Sequence, residues 1–304
     1  MVVCFCFQRP LPGMDMQIGL EEVQNIGSGI IRPEGVMVLS DGTLYTADGR
    51  GHCARIQRNG ETSFFGQLGG LPNGICIDSR GNCIIANIGN GQVQRLFPDG
   101  RHEVLATQAD GQRIYTPNFP LVDSRGRIWA SNSTARQDVN EALQQPAPDG
   151  SIILIEKGSA KMVAERIYFA NGLAMDEEEK HLYVAETMLR RILRFRIHED
   201  GSLSHREVYG PWVLAPLGFP DGIAFDEAGN LWITFPAWNA IGYLTPRREL
   251  NIVLEDPERK VFQRPSNICF GWEDRRTAFI GSLDGTTIPF FRVPYPGARL
   301  VHQR

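Results

Sequence analysis

Phe219-Pro220-Asp221-Gly222-Ile223 places one polar residue between a proline and the glycine that opens a short apolar run. The chain repeats this phrase five more times. The copies are Arg32-Pro33-Glu34-Gly35-Val36, Leu71-Pro72-Asn73-Gly74-Ile75, Thr116-Pro117-Asn118-Phe119-Pro120, Phe169-Ala170-Asn171-Gly172-Leu173 and Arg264-Pro265-Ser266-Asn267-Ile268. In chain order the third residues are Glu34, Asn73, Asn118, Asn171, Asp221 and Ser266, at intervals of 39, 45, 53, 50 and 45 residues. A period of roughly 40–50 residues suggests β-propeller blades. Equivalent positions in successive blades face one axis, so six residues remote in sequence become a single ring.

Working outward, each polar residue leads into an apolar strand such as Gly222-Ile223-Ala224-Phe225. A turn follows, as in Ser40-Asp41-Gly42 or Ser124-Arg125-Gly126, where Asp and Gly suit tight hairpins. A second strand comes next, rich in β-branched and aromatic residues: Cys83-Ile84-Ile85-Ala86, Leu182-Tyr183-Val184-Ala185, Leu231-Trp232-Ile233-Thr234. Third and fourth strands are legible in Gln92-Val93-Gln94-Arg95-Leu96 and Glu103-Val104-Leu105. Such strands cannot bury both faces alone, but each blade covers its neighbour when stacked radially. No helical periodicity competes. The expected fold is all-β: a six-bladed β-propeller of four-stranded antiparallel blades around a central channel. Residues 26–304 form the propeller, and residues 1–25 are an N-terminal extension packing on or closing it. The segment Arg136 to Asp149 reads as a polar loop inserted near the third blade, and Asp176-Glu177-Glu178-Glu179-Lys180 as a solvated turn.

The bulk numbers narrow the function. Net charge is −4 over 304 residues, with no basic block, which argues against nucleic acid and anionic membrane as partners. No apolar run approaches the roughly 18 residues needed to cross a bilayer. The start, Met1-Val2-Val3-Cys4-Phe5-Cys6-Phe7, lacks a basic leader and a small-residue cleavage site and is not read as a signal peptide. Cys4, Cys6, Cys53, Cys76, Cys83 and Cys269 form no C-x-x-C pair. Free buried thiols in a reducing cytoplasm are the expectation. The expected partner is a small-molecule substrate, and the expected state a monomer or homodimer, since a closed propeller exposes few edges.

The ring offers Glu34 and Asp221 as carboxylates and Asn118 and Asn171 as amide oxygens. This hard, all-oxygen set suits one divalent cation, Ca²⁺ first, with Mg²⁺, Mn²⁺ or Zn²⁺ as alternatives. Without a cation, two carboxylates at a narrow axis repel each other and one pKa rises. The competing reading is that Asn, Asp and Ser here merely serve turns. Against it, glycine follows the polar residue in only four of the six copies. A second series stands about fourteen residues further on: Asp48, Asn87, Asn132, Glu186, Phe235 and Ser282. Glu186 and Asn132 are its candidates for contact with substrate or with the cation's ligands.

The residues Pro33-Glu34-Gly35, Arg113-x-x-x-Pro117-Asn118, Ala170-Asn171-Gly172-Leu173-Ala174, Leu182-Tyr183-Val184-Ala185-Glu186-Thr187 and Pro220-Asp221-Gly222-Ile223-Ala224 resemble the SMP-30/gluconolactonase/LRE family. The resemblance spans roughly residues 30–290. It implies one divalent ion in the central channel, held by Glu34, Asn171 and Asp221. It implies that Asn118 ligates the ion or contacts substrate, and Arg113 is similar to an arginine found upstream of that Asn in bacterial gluconolactonases. Two departures stand out. The family's Asn-Asp is Asn118-Phe119 here, and its Thr-Asp-Pro stretch is Ser131-Asn132-Ser133-Thr134. Losing those acids makes a less polar pocket and brings in apolar lactones, esters or phosphotriesters beside sugar lactones.

The expected activity is therefore a metal-dependent lactonase. The cation polarises the carbonyl and positions water, Asp221 takes the water's proton and Glu186 is the reserve base. Arg113, Asn118 and Asn132 are the expected substrate contacts. No Gly-x-Ser-x-Gly elbow occurs, and His52, His102, His181, His198, His205 and His302 fall mostly in turns or strand ends, against a Ser-His-Asp mechanism. The alternatives are a metal-free, strictosidine-synthase-like condensing enzyme and a non-catalytic calcium- or ligand-binding propeller.

Overall fold

A computed structural model describes residues 16–304. Six antiparallel four-stranded sheets stand around a channel, one for each phrase. Blade I runs Val36–Val38, Leu44–Asp48, His52–Ile56 and Thr62–Phe65. Blade II runs Pro72–Ile77, Cys83–Asn87, Gln92–Leu96 and His102–Ala106. Blade III is Pro117–Val122, Ile128–Asn132, Gly150–Glu156 and Ser159–Ile167, and blade IV is Ala170–Met175, His181–Glu186, Arg191–Ile197 and Leu203–Val208. Blade V is Ile223–Phe225, Leu231–Phe235, Ala240–Leu244 and Leu250–Glu255. Blade VI takes three strands from the end of the chain, Pro265–Gly271, Thr277–Ser282 and Ile288–Arg292. Its outermost strand is Gln24–Ile26. That pairing, Gln24 with Phe290 through Ile26 with Ile288, closes the circle.

The boundary expected at residue 25 falls inside this closing strand. Ahead of it, Met16, Ile18, Leu20 and Val23 pack on the core between blades V and VI, and the Ile18 N–H donates to the Val253 carbonyl at 2.8 Å. The Met1–Phe7 start, with Cys4 and Cys6, lies outside the described residues. Among the described residues Cys53, Cys76, Cys83 and Cys269 are buried free thiols, and no helix is long and apolar enough to cross a membrane.

The blades pack through β-branched and aromatic side chains on successive sheets, including the fully buried Trp129, Trp232, Phe235 and Phe279. Their hairpins share one device. In Asp78, Asp123 and Asp226 one carboxylate oxygen accepts from backbone N–H groups two and four residues on, which fixes the turn. The other oxygen of Asp123 and of Asp226 accepts the indole N–H of Trp129 and of Trp232 at 3.0 and 2.9 Å, anchoring turn to core.

The glycine of the phrase has a packing reason. Innermost strands of neighbouring blades approach so closely that a Cβ on Gly222 would stand 2.6 Å from the Ser266 carbonyl oxygen. The Gly222 N–H instead donates to that oxygen at 2.8 Å. Gly172 meets the Asp221 carbonyl in the same way, at 3.1 Å. These contacts tie the strand entry at Asn171 to blade V and that at Asp221 to blade VI.

At the opposite end of the inner strands the chain terminus lies across the channel. Leu300 and Val301 pack on the core, the His302 ring bonds the Val38 carbonyl at 2.9 Å and the Gln303 amide donates to the Phe270 carbonyl at 3.2 Å. The charged turn also holds this tail, because Glu179 pairs with Arg304 at 3.0 Å while accepting the Ser124 N–H.

Candidate active site

The ring lies at the base of a cavity of about 580 Å³, within the usual range for small-molecule sites. Glu34, Asn73, Asn118, Asn171 and Asp221 line it. Ser266 does not, since its hydroxyl donates to the Glu34 carbonyl oxygen at 2.9 Å.

Hydrogen bonds set the direction of each amide. Arg32 donates to Asn73 Oδ1 at 2.8 Å, and Asn73 Nδ2 donates to Asn118 Oδ1 at 2.9 Å. Asn118 Nδ2 donates to Ser133 Oγ at 2.9 Å, and Ser133 donates to the Ala170 carbonyl at 2.9 Å. Asn171 Nδ2 donates to Thr187 Oγ1 at 3.2 Å, and Thr187 donates to the Pro220 carbonyl at 2.7 Å. With their nitrogens engaged, Asn118 and Asn171 keep their oxygens as acceptors. Glu34 Oε2 and Asn171 Oδ1 are buried without any hydrogen-bond partner. Buried polar atoms are rarely left so, and each costs about 1–3 kcal/mol unless something meets it.

The carboxyls carry the same imbalance. Burial pushes Glu34 up to about 7, although the Arg32 charge and a hydrogen bond from Asn73 pull it down. Burial first, and then the Glu34 charge, push Asp221 well above the ordinary carboxylate range against the pull of Arg32 and Arg264. Two buried acids that still resist ionisation beside two arginines are a demand for more positive charge. Among the described residues no group of three or more His, Cys, Asp and Glu is placed to hold a metal ion. A cation here would therefore be held by two carboxylates with amide oxygens, a donor set for a hard ion.

Three expected site residues stand apart from the cavity lining. Glu186 is fully buried, but its oxygens are taken by Arg191 at 2.5 Å, Arg206 at 3.3 Å and the Tyr168 N–H at 2.9 Å, which corrects the expectation of a reserve base. Asn132 accepts the Thr116 N–H at 2.9 Å and donates to the Thr134 carbonyl at 3.1 Å, so it holds backbone rather than substrate. Arg113 is exposed and lies over the Tyr115 ring, its guanidinium 5.2 Å from the centroid.

Five of the six residues of the second series share one structural role, and the sixth, Phe235, is a fully buried core side chain. Asp48 accepts the Ile31 N–H, Asn87 the Leu71 N–H, Asn132 the Thr116 N–H and Glu186 the Tyr168 N–H, each at 2.9 Å. Ser282 donates to the Gln263 carbonyl. Each of these partners lies two or three residues before a ring residue. The series clamps the loop that delivers the ring.

The apolar character expected from the loss of the family's acids arises elsewhere than at Phe119. Phe119 is buried in the core away from this cavity, lining instead the small void beneath the C-terminal tail. Phe169, Met188, Phe219 and Pro236 supply apolar wall. So does the 136–149 insertion, which forms a short helix, α1 (Val139–Gln144), and lends Val139 and Leu143. Asp138 caps α1 by accepting the Asn140 N–H at 2.8 Å, and Asp149 ties the loop back to Thr134 at 2.8 Å. Trp212 is 71% exposed beneath the Arg191 guanidinium, and Trp238 packs on Phe235; neither lines the cavity.

The first residue of each phrase is a feature the sequence reading passed over. Five of the six line the cavity: Arg32, Thr116, Phe169, Phe219 and Arg264. Their shared offset, two before the ring residue, was the available signal.

Residues 97–284 match the family model described as the SMP-30/Gluconolactonase/LRE-like region. Protein STRICTOSIDINE SYNTHASE-LIKE 7 of Arabidopsis thaliana is 25% identical over 181 residues, 56% of this chain and 47% of that protein. The 6-deoxy-6-sulfogluconolactonase of Pseudomonas putida is 28% identical over 181 residues, 59% of this chain and 58% of the relative. The chain thus spans about half the length of these curated relatives. A solved gluconolactonase structure from Xanthomonas campestris superposes with a TM-score of 0.74 at 21% identity, covering 90% of this chain and 89% of the other. That likeness concerns the fold.

Proposed function

Because the chain belongs to the SMP-30/gluconolactonase/LRE-like family, we propose that it is a divalent-cation-dependent hydrolase that opens a lactone or a related carboxylic ester. The observation that carries this reading is the pair of buried, unpartnered oxygens, Glu34 Oε2 and Asn171 Oδ1, in the cavity that Asp221 also lines. Similarity to a relative named as a sulfogluconolactonase supports the substrate class.

Glu34, Asn171 and Asp221 would hold the cation, with Asn118 Oδ1 as a fourth donor. Ca²⁺ suits the all-oxygen set best. A bound cation supplies Lewis-acid polarisation of the ester carbonyl. The chain's residues do the rest. Thr187 and Ser133 orient the two amides through the hydrogen bonds given above. Asp221 accepts the proton of the attacking water on a carboxylate oxygen and returns it to the lactone ring oxygen as the acyl C–O bond breaks, giving the hydroxy acid. The apolar wall of Phe169, Phe219 and Leu143 limits bulk water around the reacting carbonyl. Glu34→Gln and Asp221→Asn should each abolish lactone hydrolysis and leave the fold intact. Full hydrolysis by both variants would overturn the reading.

One observation favours a second reading. Arg32 faces the two carboxyls, and the matched relatives include strictosidine-synthase-like proteins. In that reading Arg32 supplies the positive charge and the enzyme condenses two substrates without a metal. A protein that binds no cation and turns over no lactone would favour it.

A further inference from the structure

The tier of side chains above the ring is divided by charge. Arg32 and Arg264 stand on blades I and VI, neighbours across the closure. Both precede a proline and both adopt the left-handed region, with φ of 52° and 43°. A non-glycine residue is uncommon there, and such conformations are held where the surroundings insist on them. The surroundings do insist. One turn bonds both backbones: the Arg32 N–H donates to the Gly285 carbonyl at 3.2 Å, and the Leu283 N–H donates to the Arg264 carbonyl at 3.1 Å. The buried Asn239 also accepts the Arg264 N–H at 2.6 Å, and its amide donates to the carbonyls of Asp256 and Phe262 at 2.6 and 3.0 Å.

The guanidiniums held this way are under-used. Arg32 Nη1 is buried with no hydrogen-bond partner. Arg264 has one long contact, 3.4 Å to Asp284, between two half-exposed side chains, a pairing worth little by itself. With a divalent cation at the ring, four positive charges face the three negative charges of Glu34, Asp221 and Asp284. The opposite sector, blades III to V, is apolar: Phe169, Phe219, Met188 and the α1 residues Val139 and Leu143.

We propose that the cavity takes an amphiphilic anion, with a sulfonate, phosphate or carboxylate group between Arg32 and Arg264 and an apolar body against Phe169, Phe219 and Leu143. Planar guanidiniums match such oxyanions through paired N–H donors. This deepens the hydrolase reading, on which it rests for the chemistry. The substrate is then a lactone or ester bearing an oxyanion on one side of the reacting carbonyl and an apolar chain on the other.

Binding without turnover tests this separately from hydrolysis. Octane-1-sulfonate, methanesulfonate and octan-1-ol would be titrated by calorimetry into the calcium-loaded protein. The expected result is one octane-1-sulfonate per chain, bound at least about tenfold more tightly than either fragment, a difference of about 1.4 kcal/mol. Arg264→Gln should weaken it about tenfold, Arg264→Lys less, and Phe219→Ala by a similar factor, with unchanged thermal midpoints confirming the fold. Equal affinity for octane-1-sulfonate and octan-1-ol, or binding indifferent to Arg264→Gln, would overturn the inference even if lactones are hydrolysed. Tight, arginine-dependent binding sustains it even if no lactone is turned over, an outcome that would count against the hydrolase reading alone.

Discussion

Thr187 accepts a hydrogen bond from the Asn171 amide and donates one to the Pro220 carbonyl, so a blade IV hydroxyl both orients a ring residue and ties it to the strand entry that delivers Asp221. Two ring residues thus share one support. Thr187→Val keeps the shape and removes the acceptor. Groups that orient a metal's ligands typically contribute 10–100-fold to affinity. Calcium affinity should fall by about tenfold or more on calorimetric titration, with a thermal midpoint near that of the parent. Unchanged affinity would mean that the Asn171 oxygen is not a ligand.

Glu34 gives a pH dependence with a definite sign. Burial raises its proton affinity, so the folded, cation-free protein keeps a proton that the unfolded chain releases above about 4.5. Stability from this group is full below that pH and is lost as pH rises toward about 7. In chelator, the thermal midpoint should therefore fall across this window more in the parent than in Glu34→Gln. Added Ca²⁺ should remove the extra fall. Parallel curves for the two proteins would contradict the assignment.

Glu186 should behave as a structural acid. Glu186→Gln leaves the partly buried Arg191 and Arg206 without their counter-charge, and breaking a buried pair costs about 3–5 kcal/mol. Because Arg206 retains some solvent access, the lower part of that range is expected. Urea denaturation should show the loss. The kcat of the folded fraction should change less than threefold, whereas a fall of a hundredfold or more would restore Glu186 to the chemistry.

Gly222→Ala should damage fold and site together. Its Cβ would press on the Ser266 carbonyl and on Asn267, and overpacking of this kind costs about 1–3 kcal/mol. Asp221 is the adjacent residue, so calcium affinity should fall as well. A variant with parental stability would show that the inner strands can part without cost.

The fold was legible because the phrase recurs six times, and in four copies, Glu34-Gly35, Asn73-Gly74, Asn171-Gly172 and Asp221-Gly222, its glycine repeats a packing requirement: neighbouring inner strands touch there. The ring was legible for the same reason, since equivalent positions face one axis. Legibility stopped at the level of atoms. Glu186 and Asn132 sit at the right height along their strands, but the sequence does not say that their oxygens turn outward to hold Tyr168 and Thr116. Phe119 breaks the family pattern next to a ring residue, yet strand alternation sends its ring into the core. The 136–149 insertion carried a usable signal in Asp138, a helix cap, and in Val139 and Leu143 at helical spacing, which its polar composition masked. Arg32 and Arg264 open their phrases in plain view. Their meaning depends on a left-handed backbone that no residue type announces.

The most direct test of the account is calcium binding coupled to lactone turnover on one preparation, measured as purified, after chelation and after adding Ca²⁺ back. The account predicts about one ion per chain, hydrolysis lost with the ion and restored with it, and neither property in Glu34→Gln. Hydrolysis that proceeds unchanged in the chelated protein would contradict it.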